Sequence, residues 1–130
     1  MTHKTPIHSL HNHEAGIHRA LNTGIFSQVF HGEQSTTMIA RFEPNAKGRL
    51  HKHPHEQWHF VLEGSCIRVH GDEEIVCKQG DFWVTLGNTM HTVYALEEGL
   101  VLLDVFAPAR DDYRVAGSGF GDADYQTPTA

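Results

Sequence analysis

Turn-forming residues cut this chain into short pieces, and almost none of the pieces carries the period of a helix. Apolar, β-branched and aromatic residues gather at positions 25–30, 36–42, 50–53, 57–62, 66–69, 74–77, 82–86, 90–95 and 100–106. Between these runs stand Gly32, Pro44-Asn45, Pro54, Glu63-Gly64, Gly71-Asp72, Gln79-Gly80, Gly87-Asn88, Glu97-Glu98-Gly99 and Pro108. Short runs rich in Val, Ile, Phe and Thr, bounded by such residues, form strands. Many of them at even spacing predict an all-β sandwich or barrel.

The two ends lack this pattern. Residues 1–20 are expected to form an N-terminal arm or first edge strand, and residues 21–113 the barrel. Residues 114–130, with Gly117, Gly119, Gly121 and Pro128, are expected to form a loose tail able to pack on a neighbour. With 130 residues and no internal repeat, a single domain is expected, large enough to bury a core without disulfides. Cys66 and Cys77 lie in strand-like runs and are read as two free, buried thiols. A net charge of −6 and the lack of any Lys/Arg cluster exclude a nucleic-acid surface. No apolar run approaches the ~18 residues of a membrane span. The first ten residues are polar, with no apolar signal-peptide core, so the chain is expected to be cytoplasmic.

Histidine is the compositional outlier: 12 in all, five of them from His51 to His70. Side chains two apart on a strand share a face, so His51 and His53 project together as a two-point metal clamp. If strand parity recovers after Pro54, Gln57 and His59 share that face. His91 sits on a later strand. Three imidazoles and one oxygen ligand leave open positions for metal-assisted chemistry. His55, in the Pro54 bend, reads as a structural or rim residue, and His11 and His13 as surface residues. His59 has two readings: a satisfied interior histidine, or a proton carrier in the pocket.

Two segments resemble the cupin motifs. Residues 48–64, Gly-Arg-Leu-His-Lys-His-Pro-His-Glu-Gln-Trp-His-Phe-Val-Leu-Glu-Gly, resemble the first, H-x-H followed after three or four residues by Glu or Gln and, after six more, by Gly. Residues 80–91 resemble the second, with Leu86 and Asn88 replacing its usual Pro and Gly; Asn tolerates left-handed backbone angles. The resemblance implies a single-domain jelly-roll barrel with a metal on His51, His53, Gln57 and His91. Spacing to Gly64 favours Gln57 as the oxygen ligand, with Glu56 as the alternative. A neutral amide leaves the ion's charge undiminished, which favours Lewis-acid chemistry. The ligand set suits Zn, Ni, Fe, Mn or Co.

The last apolar run contains one acid, Asp104, and Arg110 follows it. They are read either as an ion pair closing the barrel or as two groups beside the metal at the pocket mouth. The pattern Asp104-x-Phe106-x-Pro108-x-Arg110 is similar to that of KdgF-type cupins of pectin and alginate breakdown. That resemblance implies Asp104, Phe106 and Arg110 as catalytic residues, and linearisation of 4,5-unsaturated monouronates as the reaction. Other readings are a metal-dependent dioxygenase, a polyketide-cyclase-like cupin whose cavity is lined by Phe26, Phe42, Trp58, Phe60 and Trp83, and a small-molecule-binding sensor. The expected partners are a small-molecule substrate and a second copy of the chain.

Overall fold

The computed structural model describes residues 5–126; positions 1–4 of the expected arm and 127–130 of the expected tail lie outside the described residues. The chain forms strands β1 (Ile17–Asn22), β2 (Ile25–His31), β3 (Thr36–Phe42), β4 (His51–Lys52), β5 (Glu56–His70), β6 (Glu73–Lys78), β7 (Phe82–Thr85), β8 (His91–Ala107), β9 (Gly117–Ser118) and β10 (Asp124–Tyr125). One 3-10 turn spans Asp111–Tyr113. The all-β expectation holds. None of the described helices is long and apolar enough to cross a membrane.

The sheet is wound around β5 and β8, which pair antiparallel along nearly their whole lengths. β8 also pairs with β3 over residues 36–42 and with β4 at His51↔His91. β5 pairs on its other edge with β7 and β6. β2 and β1 extend the β3 side, and β9 and β10 close the outer edges. Inward side chains on alternate positions, among them Ile25, Val29, Met38, Ala40, Val61, Cys66, Leu100, Leu102 and Phe106, fill the interior. Cys66 and Cys77 face each other across β5 and β6 as free thiols, and burial pushes the Cys66 thiol up to about 12.

Glu63-Gly64 and Glu97-Glu98-Gly99 were expected to be turns, and they are not. Each lies inside one long strand, β5 or β8. The register shifts on both sides of Gly64, so the ladder bends there. Gly64 (φ 80°) and Gly99 (φ 77°) both take left-handed angles. A Cβ on Gly64 would overlap the Gly99 carbonyl, so the two corners nest backbone against backbone.

The ends are also more ordered than their composition suggests. β1 starts within the expected arm, at Ile17. The expected loose tail instead folds back as a strap: β9 lies parallel to β1, and β10 pairs with β4 at Tyr125↔His51. Polar and apolar contacts both hold it. The buried Arg19 guanidinium donates to the carbonyls of Val115 (2.9 Å), Ser118 (2.8 Å) and Gly119 (3.3 Å). Phe120 and Ala123 bury apolar side chains at the barrel mouth.

Candidate metal centre and pocket

β4, the bend after it and the start of β8 bring three imidazoles together. His51 and His91 are direct cross-strand partners, and the left-handed Asn88 (φ 61°) ties the intervening turn to the His53 carbonyl at 2.7 Å. Gly87 lies against the Pro54 carbonyl with no room for a Cβ. The left-handed tolerance expected of Asn88 is therefore used, and it fixes His53 relative to His91. The ligand atoms of His51, His53 and His91 lie within 4.8 Å of one another, all buried.

Hydrogen bonds set the tautomers. His51 Nδ1 donates to the Arg49 carbonyl at 2.6 Å, and His91 Nδ1 to the Thr89 carbonyl at 2.7 Å. Their Nε2 atoms are left as bare lone pairs turned inward. Gln57 Oε1 sits 3.2 Å from His91 Nε2 and 3.0 Å from His53 Nε2. Between His91 Nε2 and the Gln57 oxygen two acceptors meet with no proton to share, and a cation relieves such a contact. Burial lowers His51 to about 4 and His53 to about 3, and pushes His91 far below the ordinary value. All three are thus neutral near neutral pH, the form that binds metal. The donor set fits a divalent transition metal. Glu56 is exposed and points away, so Gln57 is the oxygen facing the cluster.

Behind the cluster runs a series of hydrogen bonds through the barrel wall. Arg68 Nη2 donates to His70 Nδ1 at 2.8 Å, so the His70 proton sits on Nε2 and goes to Thr85 Oγ1 at 2.7 Å. The Thr85 hydroxyl then donates to His59 Nε2 at 3.0 Å, and His59 Nδ1 donates to Asp104 Oδ1 at 2.9 Å. His59 also stacks on Trp83, with centroids 5.0 Å apart. Of the two readings of His59, the interior one describes its hydrogen bonding: both ring nitrogens are satisfied.

The Asp104–Arg110 ion pair does not form, because His59 takes the Asp104 carboxylate. Arg110, 1% exposed, instead directs Nε to Asp112 (3.1 and 3.2 Å) and Nη2 to the Phe120 carbonyl. Its guanidinium carbon lies 3.9 Å from the Tyr113 ring centroid and 5.1 Å from that of Phe106. Its backbone N–H donates to Thr36 Oγ1 at 2.7 Å. Even so, His51, Gln57, His59, His91, Asp104, Phe106 and Arg110 line one cavity of about 30 Å³. His53 does not line that cavity; with His55 it lines a separate surface pocket beside Asp111, Asp112 and Asp122.

Sequence reasoning missed Thr85, His70, Tyr113 and Phe120. Phe120 stacks on His51 with centroids 4.3 Å apart, and Tyr113 is fully buried beneath Arg110. The aromatic cavity lining expected for flat substrates is corrected: Phe26 and Trp58 are exposed, Phe60 stacks with Trp58 and Phe82 on the outer face, and Trp83 stacks on His59 without lining the cavity. Phe42 does line the cavity.

Comparison with known proteins agrees with this geometry. The cupin domain family, Cupin_2, matches residues 38–106. The pectin degradation protein KdgF of Dickeya dadantii (strain 3937) is 37% identical over 95 residues, 72% of this chain and 86% of that protein. The chain is a KdgF-like cupin. Among solved structures, this cupin is similar to KdgF from Halomonas sp., with a TM-score of 0.70, 30% identity, and coverage of 78% of this chain and 93% of the other. An RmlC-like cupin from Shewanella frigidimarina NCIMB 400 matches with a TM-score of 0.70 and 25% identity, over 81% and 96% of the two chains. The match at 38–106 ends before the strap.

Proposed function

We propose that this cupin is a metal-dependent enzyme that opens the ring of 4,5-unsaturated monouronates or closely related sugar acids. One observation carries the reading: a buried carboxylate, Asp104, and a buried guanidinium, Arg110, share one cavity with His51, Gln57 and His91, and these two imidazoles cluster with His53. The similarity to KdgF supports the substrate class. A bound divalent cation, with Zn, Ni, Fe, Mn and Co all suited to these ligands, supplies a Lewis acid that polarises a substrate oxygen.

The remaining work falls to the protein's own groups. Arg110 pairs with the substrate carboxylate, exchanging its present partners for a charged one. Phe106 packs against the sugar ring. Asp104 takes the proton of the anomeric hydroxyl. The bond from that carbon to the ring oxygen then breaks, leaving an aldehyde at one end and an enolate at the other. Return of the proton to the carbon adjacent to the enolate carbon completes the open-chain keto acid. His59, fixed by Thr85, orients the Asp104 carboxylate for both transfers.

Asp104→Asn keeps the shape and loses the base. Turnover of an unsaturated monouronate, followed by loss of its ultraviolet absorbance, is expected to vanish while metal analysis shows unchanged stoichiometry. Full activity in Asp104→Asn would overturn the assignment.

A further inference from the structure

The cavity that holds all these groups is too small for the substrate they would act on. About 30 Å³ is room for a single water, whereas small-molecule sites occupy several hundred Å³. The lid is identifiable. The Phe120 ring covers His51, and its carbonyl takes the Arg110 guanidinium. The Phe120 N–H donates to Tyr125 Oη at 3.0 Å, and Arg49 lies over the Tyr125 ring at 4.3 Å. The attachments are short: two residues of β9 on β1 and two of β10 on β4. Gly119 (φ 77°) and Gly121 (φ 64°) flank Phe120 in left-handed conformations. Asp112 ties the far side, accepting from the Asp122 N–H at 2.8 Å while it also holds Arg110.

We propose that the strap formed by residues 117–125 is the gate of the site and that Phe120 is its plug, an internal stand-in for the substrate. The aromatic ring fills space above His51, and the carbonyl oxygen occupies the donor that a carboxylate takes. Substrate binding and strap release are then a single exchange at Arg110, and only an anion compensates that guanidinium for losing Phe120. The carboxylate part of this inference rests on the reading of Arg110 given above; the gating part rests on the geometry alone.

The test separates the two. Holoprotein as purified is mixed with the chromogenic chelator 4-(2-pyridylazo)resorcinol, and the rate of metal transfer is followed without any sugar. Because the ligand histidines are buried, transfer waits on strap opening. Phe120→Ala, checked for wild-type circular dichroism, is expected to raise the rate by roughly ten-fold or more through the lost packing of the closed state. The second variant locks the strap. Lys52 and Asp124 are direct antiparallel partners, so Lys52→Cys with Asp124→Cys places two thiols within disulfide range. Oxidation is expected to slow transfer by roughly ten-fold or more and to abolish uronate turnover, and dithiothreitol should restore both. Wild-type transfer rates in Phe120→Ala and in the locked protein would overturn the gate. If wild-type protein fails to turn over any unsaturated uronate but the chelator rates behave as expected, the substrate reading fails and the gate stands.

Discussion

Thr85 shows how much one hydroxyl can organise. It is fully buried, accepts the His70 proton and gives its own to His59. Thr85→Val keeps the volume and strands two imidazole nitrogens. The expected loss is about 1–3 kcal/mol, with Thr85→Ser retaining most of the stability. Urea unfolding at constant slope measures both. The metal histidines predict a pH dependence. His51 and His53 fall from the ordinary 6.5 to about 4 and about 3 on folding, so below 6.5 the unfolded chain binds protons that the folded chain refuses. Stability is full above about 6.5 and drains away as pH falls toward the folded values. For metal-free protein, Tm should therefore fall steadily from about pH 6.5 to about pH 4, and metal affinity should weaken over the same range because protons compete for the ligand nitrogens. The metal cluster was legible because strand parity and motif spacing are local properties of the chain. Thr85 and Phe120 were not, because their partners lie 26 and 69 residues away, at His59 and His51. For Arg110, sequence reasoning supplied a plausible partner but missed the competitor that took it, His59.

At the level of elements, the strand edges were read well and the corners were not. The residues 36–42 expected as a strand coincide with β3. Gly64 and Gly99 were read as turns because a left-handed glycine serves a turn and a bulge equally, and only the partner strand tells them apart. The distinction has an energetic consequence. In an exposed turn, Gly64→Ala would cost about 1 kcal/mol. At this nested corner the added methyl meets the Gly99 backbone, and β5 and β8 must separate to admit it. The expected cost is over about 3 kcal/mol, read from the shift in urea midpoint, with a matching loss of soluble yield.

At the scale of the molecule, the outer face of the sheet carries its own feature. Trp58, Phe60 and Phe82 form a stacked cluster with centroids 5.3–6.5 Å apart, and Phe82 is 61% exposed. A contiguous aromatic patch is unusual on a lone soluble chain. Such a patch suits a second copy turned about a two-fold axis. Light scattering is expected to give twice the chain mass, and Trp58→Asp with Phe82→Asp to give the single-chain mass with metal content unchanged. The strap has a consequence of another kind, set by the direction of protein synthesis. His51, His53, Gln57 and His91 all leave the ribosome before Phe120 does, and β10 cannot find β4 until Tyr125 has emerged. The nascent barrel thus presents its complete ligand set, uncapped, before the segment that covers it exists.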